Sequence, residues 1–422
     1  MSNPVRRIAL FALAQLVLLC ACGGGSNNLA PGGGGSGQTI ASAGPNVASL
    51  TVDAGVPGTQ GTFNLPFVTV EICAPGSTTN CQTIDHIEVD TGSYGLRVIS
   101  SVINSTLLAG LPQELTAGFN VPIVECTVFG DGYSWGSMRT ADIVISSEKA
   151  AGVPIQVIGD PNFPTIPTAC SSHGRQEDTV AAFGANGILG VGPFVQDCGQ
   201  SCVDSTANHI YYSCPTGGAA CSDTQVALNQ EAANPVASFT TDNNGAIVEL
   251  PQISDSGALT VTGALVFGIG TQGNNGLGGA TVLTTDATAG YITTTYKGTA
   301  YPHSFLDSGS NLIYFNDTTI TACPANTKTS GITGWYCPAS ELTLNATNQG
   351  ANNAMSTVSF KVGNADTLFS SNPSFSAFND MGAPNPDAQS FDFGLPFFYG
   401  RNVFTAIEGK NTSGGMGPYY AY

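Results

Sequence analysis

The chain has little charge, and positive charge is the scarcest. Only 9% of its 422 residues are charged, and 11 Lys and Arg stand against 29 Asp and Glu. A protein with so few cations lacks the basic surface that binds nucleic acid or anionic lipid headgroups. The composition therefore argues against nucleic acid as a partner, and against direct contact of the folded chain with a lipid surface.

The sequence also has almost no sustained helical periodicity and no spacing of residues that would bind a metal. After about residue 44 the apolar residues follow short alternating runs, separated by Gly, Pro and Asn, and the chain holds 53 Gly and 24 Pro. This pattern predicts an all-β fold. The four His residues are scattered along the chain and form no ligand spacing. We therefore expect no metal and no other cofactor.

The N-terminus has the pattern of an export signal. A short basic segment, Met1 to Arg7, precedes an apolar stretch, Ile8 to Leu19, that is too short to span a bilayer comfortably. The following Leu-Cys-Ala-Cys resembles the bacterial lipoprotein box, which would make Cys22 the lipidated first residue of the mature chain; an ordinary signal peptide is the alternative. Gly23, rather than Asp, follows Cys22, so the sequence predicts an outer-membrane lipoprotein, anchored to the membrane by this lipid only.

Residues 23–44 are rich in Gly and Ser and predict a flexible tether between the anchor and the folded part of the chain. The predicted division of the chain is thus a signal peptide over residues 1–22, the tether, and two β-rich lobes over residues 45–252 and 253–422.

Ten cysteines remain beyond the signal region. An even number in an exported chain indicates disulfides. Spacing pairs Cys73 with Cys81 and Cys323 with Cys337, and it leaves Cys126 and Cys170 as the isolated two. The last four form a local cluster whose three connectivities stay open, with a thiolate metal site as the competing interpretation: Cys198, Cys202, Cys214 and Cys221.

One short pattern occurs twice. Asp, a hydroxyl residue, Gly and Ser follow a β-prone run at residues 90–93 and again at residues 307–310. Each copy is followed by an apolar-apolar-Gly element, at residues 187–192 and from Phe393 to Phe398. A single Asp-Thr-Gly is ordinary turn chemistry, but the same order in both halves predicts a duplicated lobe.

The two loops, "EVDTGSYGLRV" and "FLDSGSNLIYF", are similar to the catalytic loops of the pepsin-like aspartic proteases. "NGILGVG", "FGLPFFYGRNVFTAIEG" and "FGDGYSWGS" resemble the family's two supporting segments and its flap hairpin, over roughly residues 60–410. The resemblance implies a bilobal acid-protease fold, two β-barrel-like lobes with a cleft between them.

The resemblance also implies the chemistry. Two carboxylates held together cannot both ionise, so they share one proton; one activates a water and the other protonates the scissile carbonyl. The implied catalytic residues are Asp90 and Asp307. Six further loop residues would support them. Gly92 and Gly309 would let backbone N–H groups approach the carboxylates, and Ser93 and Ser310 would hydrogen-bond the outer carboxylate oxygens. The hydroxyls of Thr91 and Ser308 would tie one loop to the other.

The hairpin corresponding to the flap is predicted to cover the substrate, and its residues are Phe129, Gly130, Asp131, Gly132, Tyr133 and Trp135. The chain departs from the family at three places. Phe129 and Arg97 stand where the family has a Tyr and a Trp that hydrogen-bond each other, and Leu395 stands where many members have Asp. Tyr133 or Trp135 would take the Tyr role in a shifted register.

The expected activity is endopeptidase cleavage of a polypeptide by a monomer. A catalytically silent binding lipoprotein of the same fold, holding a glycan or a protein in its cleft, is the alternative. A purely structural β-rich lipoprotein would leave the paired loops unexplained.

Overall fold

The computed structural model describes residues 38–59, 62–217 and 220–422. The predicted signal peptide, the lipidation site Cys22 and residues 23–37 of the predicted tether lie outside these ranges. The described chain is all-β, as the alternating pattern predicted. Among the described residues, no helix is both long enough and apolar enough to cross a membrane.

The first thirteen strands lie between residues 47 and 267. In chain order they are β1 Val47–Val52, β2 Pro66–Cys73, β3 Cys81–Asp90, β4 Tyr94–Ile99, β5 Ile123–Val128, β6 Gly132–Ile145, β7 Glu148–Ile158, β8 Arg175–Gln176, β9 Gly187–Val191, β10 Tyr211–Ser213, β11 Ser222–Asp223, β12 Gly245–Leu250 and β13 Val261–Phe267.

The remaining strands lie between residues 282 and 421. They are β14 Val282–Thr284, β15 Ile292–Tyr296, β16 Thr299–Leu306, β17 Ile313–Tyr314, β18 Leu342–Gln349, β19 Met355–Val362, β20 Gly382–Ala383, β21 Asp392–Phe393, β22 Arg401–Ala406, β23 Asn411–Thr412, β24 Gly415–Met416 and β25 Tyr419–Ala421.

The described helices are short and lie in the connections between strands. The α-helices are α1 Ser105–Gly110, α2 Thr168–Ser171, α3 Val180–Phe183, α4 Gln200–Asp204 and α5 Ala365–Ser371. Four 3₁₀ turns span Ser100–Val102, Leu228–Gln230, Pro235–Ser238 and Leu395–Phe397.

Strands of the first half close into a ring. Hydrogen bonding follows the order β2, β3, β9, β4, β7, β6, and β6 then pairs back to β2 through Glu71 opposite Val144. Alternate side chains of these strands fill the ring, because successive residues of a strand point to opposite faces. Val70, Ile87, Leu96 and Ile155 are fully buried in this core.

The second half is built on a seven-stranded sheet in the order β19, β18, β15, β16, β21, β17, β20. Its core is aromatic. Phe391 stacks on Phe315 at 5.0 Å and on Phe393 at 4.5 Å between ring centroids, and Phe360 meets Phe391 edge-on at 5.7 Å.

A continuous run of strands joins the two halves. In the order β1, β13, β12, β22, β25, β14 it combines strands from the start, the middle and the end of the described chain. The predicted boundary at residues 252 and 253 falls between β12 and β13, and these two strands pair with each other. The boundary therefore marks a loop inside the joining sheet and does not separate two sheets.

Five disulfides crosslink the described chain. The three pairs predicted from spacing are present, and the open cluster resolves into Cys198–Cys202 and Cys214–Cys221. Within the described ranges the group with metal-like spacing is Glu71 with Cys73 and Cys81, and the disulfide there leaves no thiolate to bind an ion. This crosslinking is typical of an extracellular or periplasmic protein.

The Cys126–Cys170 bridge should contribute more stability than the Cys73–Cys81 bridge. The Cys126–Cys170 bridge closes a loop of 44 residues and the Cys73–Cys81 bridge a loop of 8 residues. For these lengths the chain-entropy relation gives stabilisations of about 4 and about 2.5 kcal/mol. We expect denaturant titrations of the paired Cys→Ala variants to show these losses, and mass spectrometry after native alkylation to find the ten cysteines unlabelled. Equal losses, or several labelled thiols, would contradict this.

Candidate active site

The two Asp loops occupy equivalent positions in the two halves. Asp90 ends β3, which runs parallel to β9, and β9 is antiparallel to β4. Asp307 follows β16, which runs parallel to β21, and β21 is antiparallel to β17. Each loop thus leaves one strand, turns, and re-enters on the far side of a shared neighbour, as a duplicated lobe predicts.

The two loops hold each other through reciprocal hydrogen bonds. The Thr91 hydroxyl donates to the Leu306 carbonyl at 2.9 Å and accepts from the Ser308 amide at 2.9 Å. The Ser308 hydroxyl donates to the Val89 carbonyl at 2.7 Å and lies 3.1 Å from the Thr91 amide. Thr91 and Ser308 are buried, so these bonds fix the spacing of the two loops away from water.

Each carboxylate packs against the glycine of the opposite loop. A Cβ placed on Gly92 would lie 2.7 Å from Cγ of Asp307, and one on Gly309 would lie 2.7 Å from Cγ of Asp90. Both contacts are too close for any side chain. Each glycine amide also donates to the carboxylate of its own loop, at 2.7 Å to Asp90 and 2.8 Å to Asp307.

The two serines that follow the glycines are not equivalent. Ser310 Oγ donates to Asp307 Oδ2 at 2.7 Å, whereas buried Ser93 Oγ has no hydrogen-bond partner among the described residues. The expectation that Ser93 bonds the outer oxygen of Asp90 is therefore wrong, and only the second loop binds its carboxylate in this way.

The electrostatics of the pair follow from burial and like charge. Burial raises the pKa of Asp307 well above its usual range, and the neighbouring carboxylates of Asp90 and Asp392 raise it further. The two carboxylates therefore oppose each other's ionisation, and the pair shares one proton. The pair can supply one carboxylate that accepts a proton and one carboxyl group that donates a proton.

Asp392 is a third carboxylate at this site that the sequence patterns did not identify. Register makes it the counterpart of Ile188, because Phe305 opposes Asp392 as Glu88 opposes Ile188. The predicted element began at Phe393, one position beyond this Asp. Aligning the glycines Gly190 and Gly394 of the two elements would have found it.

The carboxylates lie at the base of an open cavity of about 660 Å³. A second cavity of about 670 Å³ adjoins the first, and the two share the lining residues Gly92, Tyr94, Asp197, Tyr291 and Phe305. Together they form one groove, and the paired carboxylates line its first cavity. Each volume lies in the range of ligand pockets.

The hairpin of β5 and β6 borders the first cavity with its turn. Phe129, Gly130 and Asp131 line the cavity, and the Phe129 amide closes the turn on the Gly132 carbonyl at 2.8 Å. Phe129 also packs edge-on against Phe183, with 5.7 Å between ring centroids.

Gly132, Tyr133 and Trp135 do not line either cavity. Trp135 is buried, donates to the Phe163 carbonyl at 2.9 Å and packs on Tyr212 at 5.2 Å. The structure therefore places neither Tyr133 nor Trp135 where it could take the role of a flap tyrosine over the cleft. Both residues are held by strand pairing: β5 pairs with β6 at Tyr133 and Trp135, and β8 pairs with β6 at Tyr133.

Arg97 connects the hairpin to the body of the protein. Its guanidinium is 1% exposed and pairs with Glu125 of β5 at 2.5 Å and with Asp197 at 3.0 Å, while Nε donates to Thr127 Oγ1 at 2.9 Å. Burial and the Glu125 carboxylate raise the pKa of Asp197 well above its usual range, and the Tyr211 hydroxyl donates to it at 2.6 Å. A buried ionic network thus stands at the place where the resembling family has its Tyr–Trp hydrogen bond.

Residues 42–422 match the model of a family described as "Protein of unknown function (DUF3443)". No curated protein matches the chain.

Proposed function

Since this chain belongs to the DUF3443 family, whose description carries no activity, we propose its function from the cleft: it is an aspartic endopeptidase with a bilobal, pepsin-like fold. The observation that carries the proposal is the packing of Asp90 and Asp307, each against the loop glycine of the other, at the base of a groove.

The proposed mechanism uses the shared proton. Asp90 takes a proton from a water in the groove, and the water oxygen attacks the carbonyl carbon of the substrate. Asp307, protonated because its pKa is raised, gives its proton to the carbonyl oxygen. The tetrahedral intermediate then breaks its C–N bond: the proton held by Asp90 passes to the leaving amine, and one hydroxyl of the intermediate returns a proton to Asp307 as the new carboxyl group forms.

The substrate class follows from the shape of the groove. The first cavity, which the carboxylates line, adjoins a second cavity of similar volume, and two adjoining cavities suit an extended chain; the turn at residues 129–131 borders the first cavity. We propose an unfolded or extended segment of polypeptide, bound by a monomer. From the predicted export signal and the predicted lipidation of Cys22, we propose that the enzyme acts outside the cytoplasm on a lipid anchor; the five disulfides support an extracellular or periplasmic compartment.

Hydrolysis of denatured casein should be measured from pH 3 to pH 8. We expect activity at acidic pH that falls as the pH rises, because deprotonation of Asp307 above its raised pKa removes the acid and leaves two charged carboxylates. A chelator should leave the rate unchanged, and pepstatin should abolish it. A maximum at pH 8, or loss of activity with chelator, would contradict the proposal.

A further inference from the structure

Asp392 is a charged residue at a position where the first half of the chain has an apolar one. Its counterpart, Ile188, is fully buried in an apolar cluster with Phe67 and Ile99. Asp392 is 5% exposed and lines the cavity instead. The second half thus presents a carboxylate to the groove where the first half packs an apolar side chain.

The residues around Asp392 form a pocket with aromatic walls. Its strand neighbours Phe305 and Tyr314 both line the cavity, and Tyr291 completes the wall at 6.0 Å from Phe305 between ring centroids. Aromatic faces accept the methylene chain and the charge of Lys or Arg, and a carboxylate at the end of the pocket provides a charge-assisted hydrogen bond.

The charge of the cavity favours the same ligand. Its acidic lining residues are Asp90, Glu125, Asp131, Asp197, Asp307, Asp387 and Asp392. Among the lining residues, Arg97 and His173 are the two that can carry a positive charge, and Arg97 is already paired with Glu125 and Asp197. Outside the lining, Arg175 lies 3.5 Å from Asp131 and His303 lies 3.3 Å from Asp387. Carboxylates still outnumber these cations, so the charge of the cavity favours an incoming cation.

We propose that the cleft selects basic polypeptides and that Asp392 binds a Lys or Arg side chain of the substrate next to the bond that is cleaved. This deepens the proposed endopeptidase function and rests on it. The position follows from the strands: Asp392 opposes Phe305, two residues before Asp307, and the Asp307 amide donates to the carbonyl of Phe393 at 3.1 Å.

Binding can be measured without cleavage in the Asp307→Asn protein. Two fluorescent octapeptides of Ala and Leu, identical except for one central Lys or norleucine, are titrated at pH 5.5 and low salt and followed by anisotropy. We expect the Lys peptide to bind about tenfold more tightly, since one charge-assisted hydrogen bond is of this size. Adding Asp392→Asn should reduce the ratio to below about twofold.

The matched control adds Asp255→Asn, which removes one carboxylate from the exposed Lys361 pair and should leave the ratio unchanged. Equal affinity of the two peptides in the Asp307→Asn protein overturns the proposal even if the Asp392 variant does not fold. A Lys preference that survives Asp392→Asn also overturns it. If the preference holds but the wild type cleaves neither peptide, the endopeptidase function fails and the binding preference stands.

Discussion

Replacing Asp90 or Asp307 by Asn is expected to lower the turnover number of polypeptide hydrolysis by about 10²- to 10⁴-fold, the range that a general acid or base supplies. Either change removes one of the two carboxyl groups that exchange protons with the substrate and the water. Asn is nearly isosteric with Asp, so its side-chain oxygen still accepts the hydrogen bond from the glycine amide of its own loop. Initial rates on denatured casein at pH 4 measure the loss.

The folded state should survive both changes. The Asp307→Asn change removes a carboxyl whose ionisation burial and Asp90 oppose, so we expect no fall in melting temperature at neutral pH. Asp255→Asn serves as the control, because Asp255 is half exposed and pairs with Lys361. Hydrolysis that survives both Asn substitutions would remove the aspartic protease proposal and favour the silent binding lipoprotein.

Arg97→Met should cost about 3–5 kcal/mol of unfolding free energy, the range for removing one partner of a buried ion pair. Met replaces the length of the side chain but leaves Glu125, fully buried, and Asp197, about 10% exposed, without their cation. Burial and Glu125 already raise the pKa of Asp197, and removing Arg97 takes away the charge that lowers it. A pKa that is higher in the folded than in the unfolded state costs stability as the pH rises, so the loss should be larger at pH 7.5 than at pH 4.5. Urea titration at the two pH values measures both effects.

Lys361→Met is the matched control for Arg97→Met. Lys361 also pairs with two carboxylates, Asp255 and Glu341, but all three side chains are at least one-third exposed. Exposed pairs contribute at most about 1 kcal/mol. Similar losses for the two variants would show that the Arg97 network does not depend on burial.

The sequence predicted those parts of the site that depend on a few consecutive residues. Asp, hydroxyl, Gly and Ser at residues 90–93 and 307–310 follow from the steric and hydrogen-bonding needs of one turn, and the structure brings the two loops together. The pairing of Cys73 with Cys81 was predictable for the same reason, since eight residues separate them. Alternation of apolar and polar residues predicted the strands.

Long-range features were not predictable in this way. Arg97 pairs with Asp197 across 100 residues, and no pattern near either residue indicates the partner. Asp392 was missed because a strand of two residues carries no periodicity of its own, and an alignment shifted by one position exchanges the two faces of a strand. The directions of Tyr133 and Trp135 depended on the strands that cover the hairpin, so the local sequence could not give them.

The order in which the strands enter the fold limits when the cleft can exist. β21 supports the Asp307 loop, and β22 pairs with β12 from Gly245 opposite Ala406 to Leu250 opposite Arg401. A chain that emerges from the ribosome or from a translocation channel, N-terminus first, therefore lacks the paired carboxylates until residues 392–406 are free to fold. A nascent or truncated chain would expose one acidic loop without the other. On the proposed function, proteolysis would begin only after synthesis and delivery of nearly the whole chain.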